Sequence, residues 1–323
     1  MRIIRANEEH FHGRGREALR ASAKRGEIRR IYRGVYFDAE GAGSIPPHAE
    51  HVARIAAIAP TLSTGVLSGV SAAALHGLPL LHRRLGGLVE VTRSSGPGRT
   101  RWVRSHRAVL DDADVVEVHG LRVTSIARTL RDLHRDLGFG ELLAAADGAA
   151  RMGFDLDGLA RIGRFAGRIE FLRHHASDRS ESYGESLSRA TMIELGMPLP
   201  ELQVDVLDED GRRLGRSDFL WREFRSLGEF DGRIKYDGSL EPDRTPADVL
   251  MAERHREQRM RAVGWGFARW GWAIANSAEQ FRSGVLTTLE LGRRLPPARG
   301  RVELPPASRT APPDWQELLG TAR

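Results

Sequence analysis

Residues 213–236 read RLGRSDFLWREFRSLGEFDGRIKY, and the fold of the C-terminal half depends on how this stretch is parsed. Gly215–Trp221 and Arg225–Phe230 are short runs rich in apolar and aromatic residues, the composition of β-strands. Asp218 lies inside the first run; Glu229 and Asp231 lie at the end of the second. Side chains two apart on a strand share a face, so Glu229 and Asp231 are expected to point the same way. Asp218 can join them from the neighbouring strand. Acids are depleted in strands, and the apolar neighbours Phe219, Leu220, Leu227 and Phe230 point to a buried sheet.

Working outward, Leu202–Leu207 forms a hairpin with Gly215–Trp221 around Asp208-Glu209-Asp210-Gly211. A helix is expected over Ser182–Leu195, with Ser180 or Ser182 as its cap, and it carries Glu185 as a further oxygen donor. A charged helix over Asp248–Val263 precedes an aromatic strand, Trp265–Trp272, and a last helix spans Ser277–Leu291. The order is helix, three strands, helix, strand. Glu253, Arg256 and Glu257 read as i,i+3 and i,i+4 surface pairs. Trp265, Trp270 and Trp272 read as core, with base stacking the other use of such rings. The tail from 296 carries three Pro-Pro pairs and little apolar periodicity, which predicts disorder.

The chain has 323 residues, 41% of them apolar and 28% charged. That is ordinary globular composition and excludes wholesale disorder. No cysteine occurs, which excludes disulfides, zinc-thiolate sites, iron–sulfur clusters and cysteine nucleophiles. No apolar run has membrane-spanning length, and the N-terminus lacks a signal core, so a cytoplasmic protein without a membrane partner is expected. The net charge is +6, and residues 1–37 hold ten basic residues against four acids, so the whole surplus lies there. Arg14, Arg16, Arg20, Lys24, Arg29, Arg30 and Arg33 are the candidate DNA-phosphate ligands in this segment. Residues 14–25 read as a basic helix closed by Gly26. A hairpin, Ile28–Tyr32 and Val35–Phe37, follows across Arg33-Gly34. Helix and basic hairpin together have the layout of an abbreviated winged helix, lacking a clear first helix.

Residues 39–47 suit a linker. From 48 to about 175 helices are expected at His48–Ala59, Val70–His76, Ile126–Leu137, Phe139–Arg151 and Leu156–Phe165. Strands are expected at Gly65–Ser68, Leu88–Thr92, Val103–His106, Val115–Val118 and Leu121–Thr124. Arg128 and Asp132 form an i,i+4 surface pair, and His76 and His106 read as structural. This region offers no catalytic constellation.

Gathered carboxylates repel one another unless a cation or proton compensates. Mg²⁺ prefers such hard oxygen ligands, and so held it can polarise a phosphodiester and activate water. Only two of the 49 basic residues are lysines, Lys24 and Lys235. Lys235 follows Asp231 closely and is placed to steady charge on a phosphate.

At this point the residues resemble a family. Asp218, then Glu229-x-Asp231-Gly232, with helix-borne Glu185, is similar to the PD-(D/E)XK nuclease superfamily, in the branch near very-short-patch repair endonucleases. The charged helix with Glu253, Arg256 and Glu257, leading into a strand with Arg269, also looks like that branch. The resemblance implies a Mg²⁺-dependent endonuclease in which Asp218 and Glu229 hold metal. Glu185 and Asp231 would assist, and Lys235 would stabilise the scissile phosphate. The superfamily lysine sits two residues after the acid, where this chain has Asp231. Either Lys235 reaches in from the next turn or Asp231 is a third ligand. Upstream, RRIYRGVY, LSGVSAAALHGLPL and GLRVTSIARTLRDL resemble AbiEi-type antitoxins and regulators. There a winged helix binds promoter DNA, and the next domain neutralises a nucleotidyltransferase-like toxin. The expected architecture is a multidomain α+β or α/β chain. It has a winged-helix-like basic domain at 1–45, an AbiEi-like middle domain at 46–177 and a restriction-endonuclease-like domain at 178–292. A disordered tail at 293–323 completes it. Two functions follow: Mg²⁺-dependent hydrolysis of DNA, or DNA binding by a toxin–antitoxin regulator whose nuclease fold is degenerate.

Overall fold

The computed structural model describes residues 3–6, 15–38, 46–62, 64–159, 166–232 and 246–319. It is a mixed α/β chain that divides into two compact units, Met1–His175 with Thr310–Arg323, and Ala176–Arg309.

The first unit opens with a small antiparallel sheet of β1 (Ile3–Arg5), β2 (Ile28–Tyr32) and β3 (Val35–Asp38) in the order β1-β3-β2. The helix Arg16–Arg25 buries Leu19 and ends at Gly26, whose φ of 79° is the left-handed C-cap that glycine adopts without a Cβ penalty. Leu19 packs with Ile4, Ala6, Ile28 and Tyr36 into a core of its own. The hairpin therefore stands where the sequence places it, and β1 adds a third strand that three residues of apolar sequence do not announce.

The second sheet runs β6-β7-β5-β4-β9-β8. Its strands are β4 (Val66–Leu67), β5 (Val89–Arg93), β6 (Gly98–Arg99), β7 (Val103–Arg107), β8 (Val115–Val118) and β9 (Leu121–Thr124). Helices Pro47–Ile58, Gly69–His76, Ile126–Leu133 and Phe139–Arg151 accompany it. Ser125 caps the third of these through the Arg128 amide, satisfying one orphan donor of the first turn. The Arg128–Asp132 pair forms at 3.1 Å, but it is not a surface pair. Asp132 is buried, and Arg128 also grips Asp114 at 2.6 Å, with Arg131 on the other Asp114 oxygen. His76 Nε2 donates to Thr124 O, 2.7 Å away, a structural role as expected. Of the helix expected over Leu156–Phe165, Leu156–Gly158 forms a 3₁₀ turn and residues 160–165 lie outside the described residues; a helix follows at Ala166–His175.

The second unit follows the expected order. Ser182 caps the helix Tyr183–Glu194. β10 (Glu201–Leu207), β11 (Arg213–Trp221) and β12 (Ser226–Asp231) form an antiparallel meander. The helix Pro246–Ala262 then leads to β13 (Gly266–Gly271), which lies parallel to β12. One face of the sheet packs Met192, Phe219, Trp221, Trp270 and Phe281; the other packs Val204, Leu220, Leu227, Met260 and Trp265. Trp265 and Trp270 are thus core residues.

The tail departs from expectation. Arg301–Glu303 forms β14, an edge strand antiparallel to β10. Gln316–Leu319 is helical, with Leu319 buried and the Trp315 indole donating to Leu75 O at 3.1 Å. The Pro-Pro pairs break periodicity without removing Val302, Trp315 and Leu319, and these make the contacts. Among the described residues no helix is long and apolar enough to cross a membrane.

Candidate functional site

Asp218 and Glu229 do come together. The β11–β12 register pairs Phe219 with Gly228; one step further along antiparallel strands sets Asp218 against Glu229 on one face. Asp218 Oδ2 accepts the Phe230 amide at 2.9 Å. On the other side, Gln203 donates its side-chain amide to Asp218 at 3.1 Å and to Glu185 at 3.0 Å. Glu185 reaches this point because the Tyr183–Glu194 helix begins beside the sheet: its carboxylate accepts the Glu181 amide at 2.9 Å.

Gln203 holds a left-handed backbone, φ 54°, in the middle of β10. This costs a non-glycine residue about 1–2 kcal/mol. Here it interrupts the strand's alternation. Leu202 packs into the core with Phe219, Val204 into the core with Leu220, and the buried Gln203 amide is turned onto the two acids.

Electrostatics separate the acids. Burial, with the neighbouring Asp218 charge second, pushes Glu185 up to about 7. Burial also raises Asp218. Glu229 is raised by burial as well, but two cations pull against that: Arg256 lies at 2.8 Å and Arg269 at 2.7 Å. Arg269 stands on β13 in direct parallel register with Glu229, and Arg256 reaches from the Pro246–Ala262 helix while also donating to Arg216 O at 2.8 Å. Arg256 is therefore turned towards the sheet and is more than a surface partner of Glu253 and Glu257. Arg269 meets those two acids at 3.5 and 3.7 Å.

Asp231 is half-buried at the end of β12, in register with Gly271. Lys235 lies outside the described residues, as does Arg14. Of the other basic candidates, Arg16, Arg20, Lys24, Arg30 and Arg33 are exposed. Arg29 is exposed but ion-paired with Glu50, so its charge is already partly spent.

The donor set does not fit a resident divalent ion. Glu229, one of the two acids that would have to hold it, is neutralised by two guanidiniums, and among the described residues no group of three or more potential ligands could hold a metal. Sequence reasoning missed Gln203 and the bridging use of Arg256 and Arg269. An arginine inside an aromatic strand, GFARWG, was the available signal, because a half-buried cation needs a partner.

No family model matches the chain, and no solved structure matches it. It is similar to two uncharacterized proteins of Mycobacterium tuberculosis, MT2308 of strain CDC 1551 and Rv2248 of strain H37Rv. Each is 34% identical over 90 residues, covering 28% of this chain. The chain spans about 30% of the length of these relatives.

Proposed function

We propose that this chain is a DNA-binding protein of the antitoxin or regulator kind, in which the C-terminal unit is a nuclease-plan scaffold that does not cleave. The observation that carries the reading is the pair of guanidiniums on Glu229: cationic charge is supplied there by the protein itself. The helix–three strands–helix–strand order, with β13 parallel to β12, supports the nuclease plan. Exposed Arg16, Arg20, Lys24, Arg30 and Arg33 on a helix and hairpin support phosphate binding by the front end. Such a regulator would have a nucleotidyltransferase-like toxin as its protein partner.

A mobility shift on the DNA upstream of the chain's own gene tests the binding half. A complex that weakens with salt is expected, because counterions are released from the phosphates. Arg20→Ala/Arg30→Ala/Arg33→Ala should weaken it further; unchanged binding in that variant would count against the front end.

Mg²⁺-dependent hydrolysis is the second reading. It is favoured by buried Glu185 and half-buried Asp218, two acids held side by side with raised proton affinity, as tuned active-site groups are. It requires Arg256 and Arg269 to release Glu229. Plasmid scission that disappears in Asp218→Ala would establish it.

A further inference from the structure

We infer that the β6–β7 hairpin of the first unit is a second phosphate-binding element, which extends the DNA footprint beyond the basic helix and hairpin at the front of the chain. The inference rests on the DNA-binding reading above and adds a site to it. Residues 94–101, SSGPGRTR, are all exposed, and the hairpin they form is the edge of the six-stranded sheet. Its register sets like charges against each other twice. Arg99 on β6 pairs with Arg104 on β7, and Arg93 on β5 pairs with Arg107 on β7. Like charges directly opposite on neighbouring strands destabilise a sheet. An anion beside either pair removes that cost.

The charges line one open groove of about 510 Å³, formed by Pro97, Gly98, Arg99, Arg104, Arg107 and Arg135 among others. Arg104 and Arg135 have acids nearby, Glu90 at 3.4 Å and Asp132 at 2.6 Å. Among the described residues Arg99 and Arg107 have no ion-pair partner, and the buried Arg93 Nε has no hydrogen-bond partner. Arg104 is held from the neighbouring strand: Glu90, its register partner on β5, is buried, accepts the Val70 amide at 3.1 Å and pairs with Arg104.

The groove also adjoins the front end. Tyr32, at the end of the strand that carries Arg29 and Arg30, meets Trp102 edge-on with ring centroids 5.5 Å apart. Arg101 lies over the same indole at 5.1 Å. Basic side chains therefore continue from the front hairpin across Trp102 onto β6–β7. A mostly guanidinium surface with one aromatic ring suits a phosphodiester backbone better than a peptide.

Full-length protein is titrated with a 30-base-pair duplex labelled for anisotropy over a series of salt concentrations. Each phosphate contact adds about 0.9 to the slope of log affinity against log salt. Arg99→Gln/Arg107→Gln should lower that slope by about two and Arg99→Lys/Arg107→Lys should restore it, with the thermal midpoint of neither variant lowered, because both residues are exposed and the glutamines relieve the like-charge pairs. A slope unaltered in the glutamine variant, while Arg30→Gln/Arg33→Gln lowers it, overturns this inference and leaves the front-end reading standing. A slope lost in both the glutamine and lysine variants also overturns it, since a phosphate accepts either cation. No binding by the unaltered chain overturns the DNA reading and this site with it.

Discussion

Glu185 concentrates the chemistry of the second unit in one carboxyl. Its ordinary value near 4.5 is raised to about 7 in the fold, so the folded state holds a proton that the unfolded chain releases between those values. Stability is therefore highest below about pH 4.5 as far as this group is concerned, and it is lost as pH rises towards 7. The loss is on the order of 1–3 kcal/mol, and raised Asp218 acts in the same direction. Glu185→Gln should flatten the decline, seen in urea midpoints measured at pH 5 and pH 8 by tryptophan fluorescence. A decline of the same size in the variant would refute the assignment. Gln203→Ala keeps the left-handed backbone and deletes the amide shared by both acids. It should cost about 1–3 kcal/mol, and a neutral outcome would mean that the amide is dispensable.

At the scale of elements, the approach of the Tyr183–Glu194 helix to β12 depends on Gly184. A Cβ there would fall 1.9 Å from the Phe230 ring. Helix propensity favours alanine by about 1 kcal/mol, whereas overpacking costs about 1–3 kcal/mol. Gly184→Ala is thus expected to destabilise the unit, and Phe230→Leu in the same chain should recover part of the loss. Stabilisation by Gly184→Ala alone would show that this contact does not set the helix position. The same scale separates what sequence could show from what it could not. β10, β11, β12 and β13 were legible because runs of six to nine residues rich in apolar and aromatic side chains lie between turn signals. β1, β6 and β14 were not, since two or three residues become strands only through their neighbours. Asp218, Glu229 and Glu185 could be found from spacing. The Gln203 bridge depends on one left-handed residue, Arg269 on a parallel register across 40 residues of chain and Arg256 on the reach of a helix; none leaves a local periodic trace.

Across the whole molecule, charge is divided by task. The net surplus sits in the first 37 residues, exposed arginines continue on β6–β7, and Arg256 and Arg269 of the second unit turn inward onto Glu229. Arg256→Met should leave a buried acid with one partner fewer and destabilise the chain by about 1–3 kcal/mol, less than a fully buried pair would lose because Arg256 is partly exposed. Arg256→Met with Glu229→Gln should recover much of that loss; no recovery would mean that Arg256 acts through Arg216 O instead.

One gel decides between holding DNA and cutting it. Supercoiled plasmid carrying the upstream sequence is incubated with full-length protein and Mg²⁺, then run once native and once after the protein is stripped away. Retardation in the first lane and intact supercoils in the second are expected. Nicked or linear plasmid that Asp218→Ala abolishes, or a plasmid that is never retarded, would contradict the proposal.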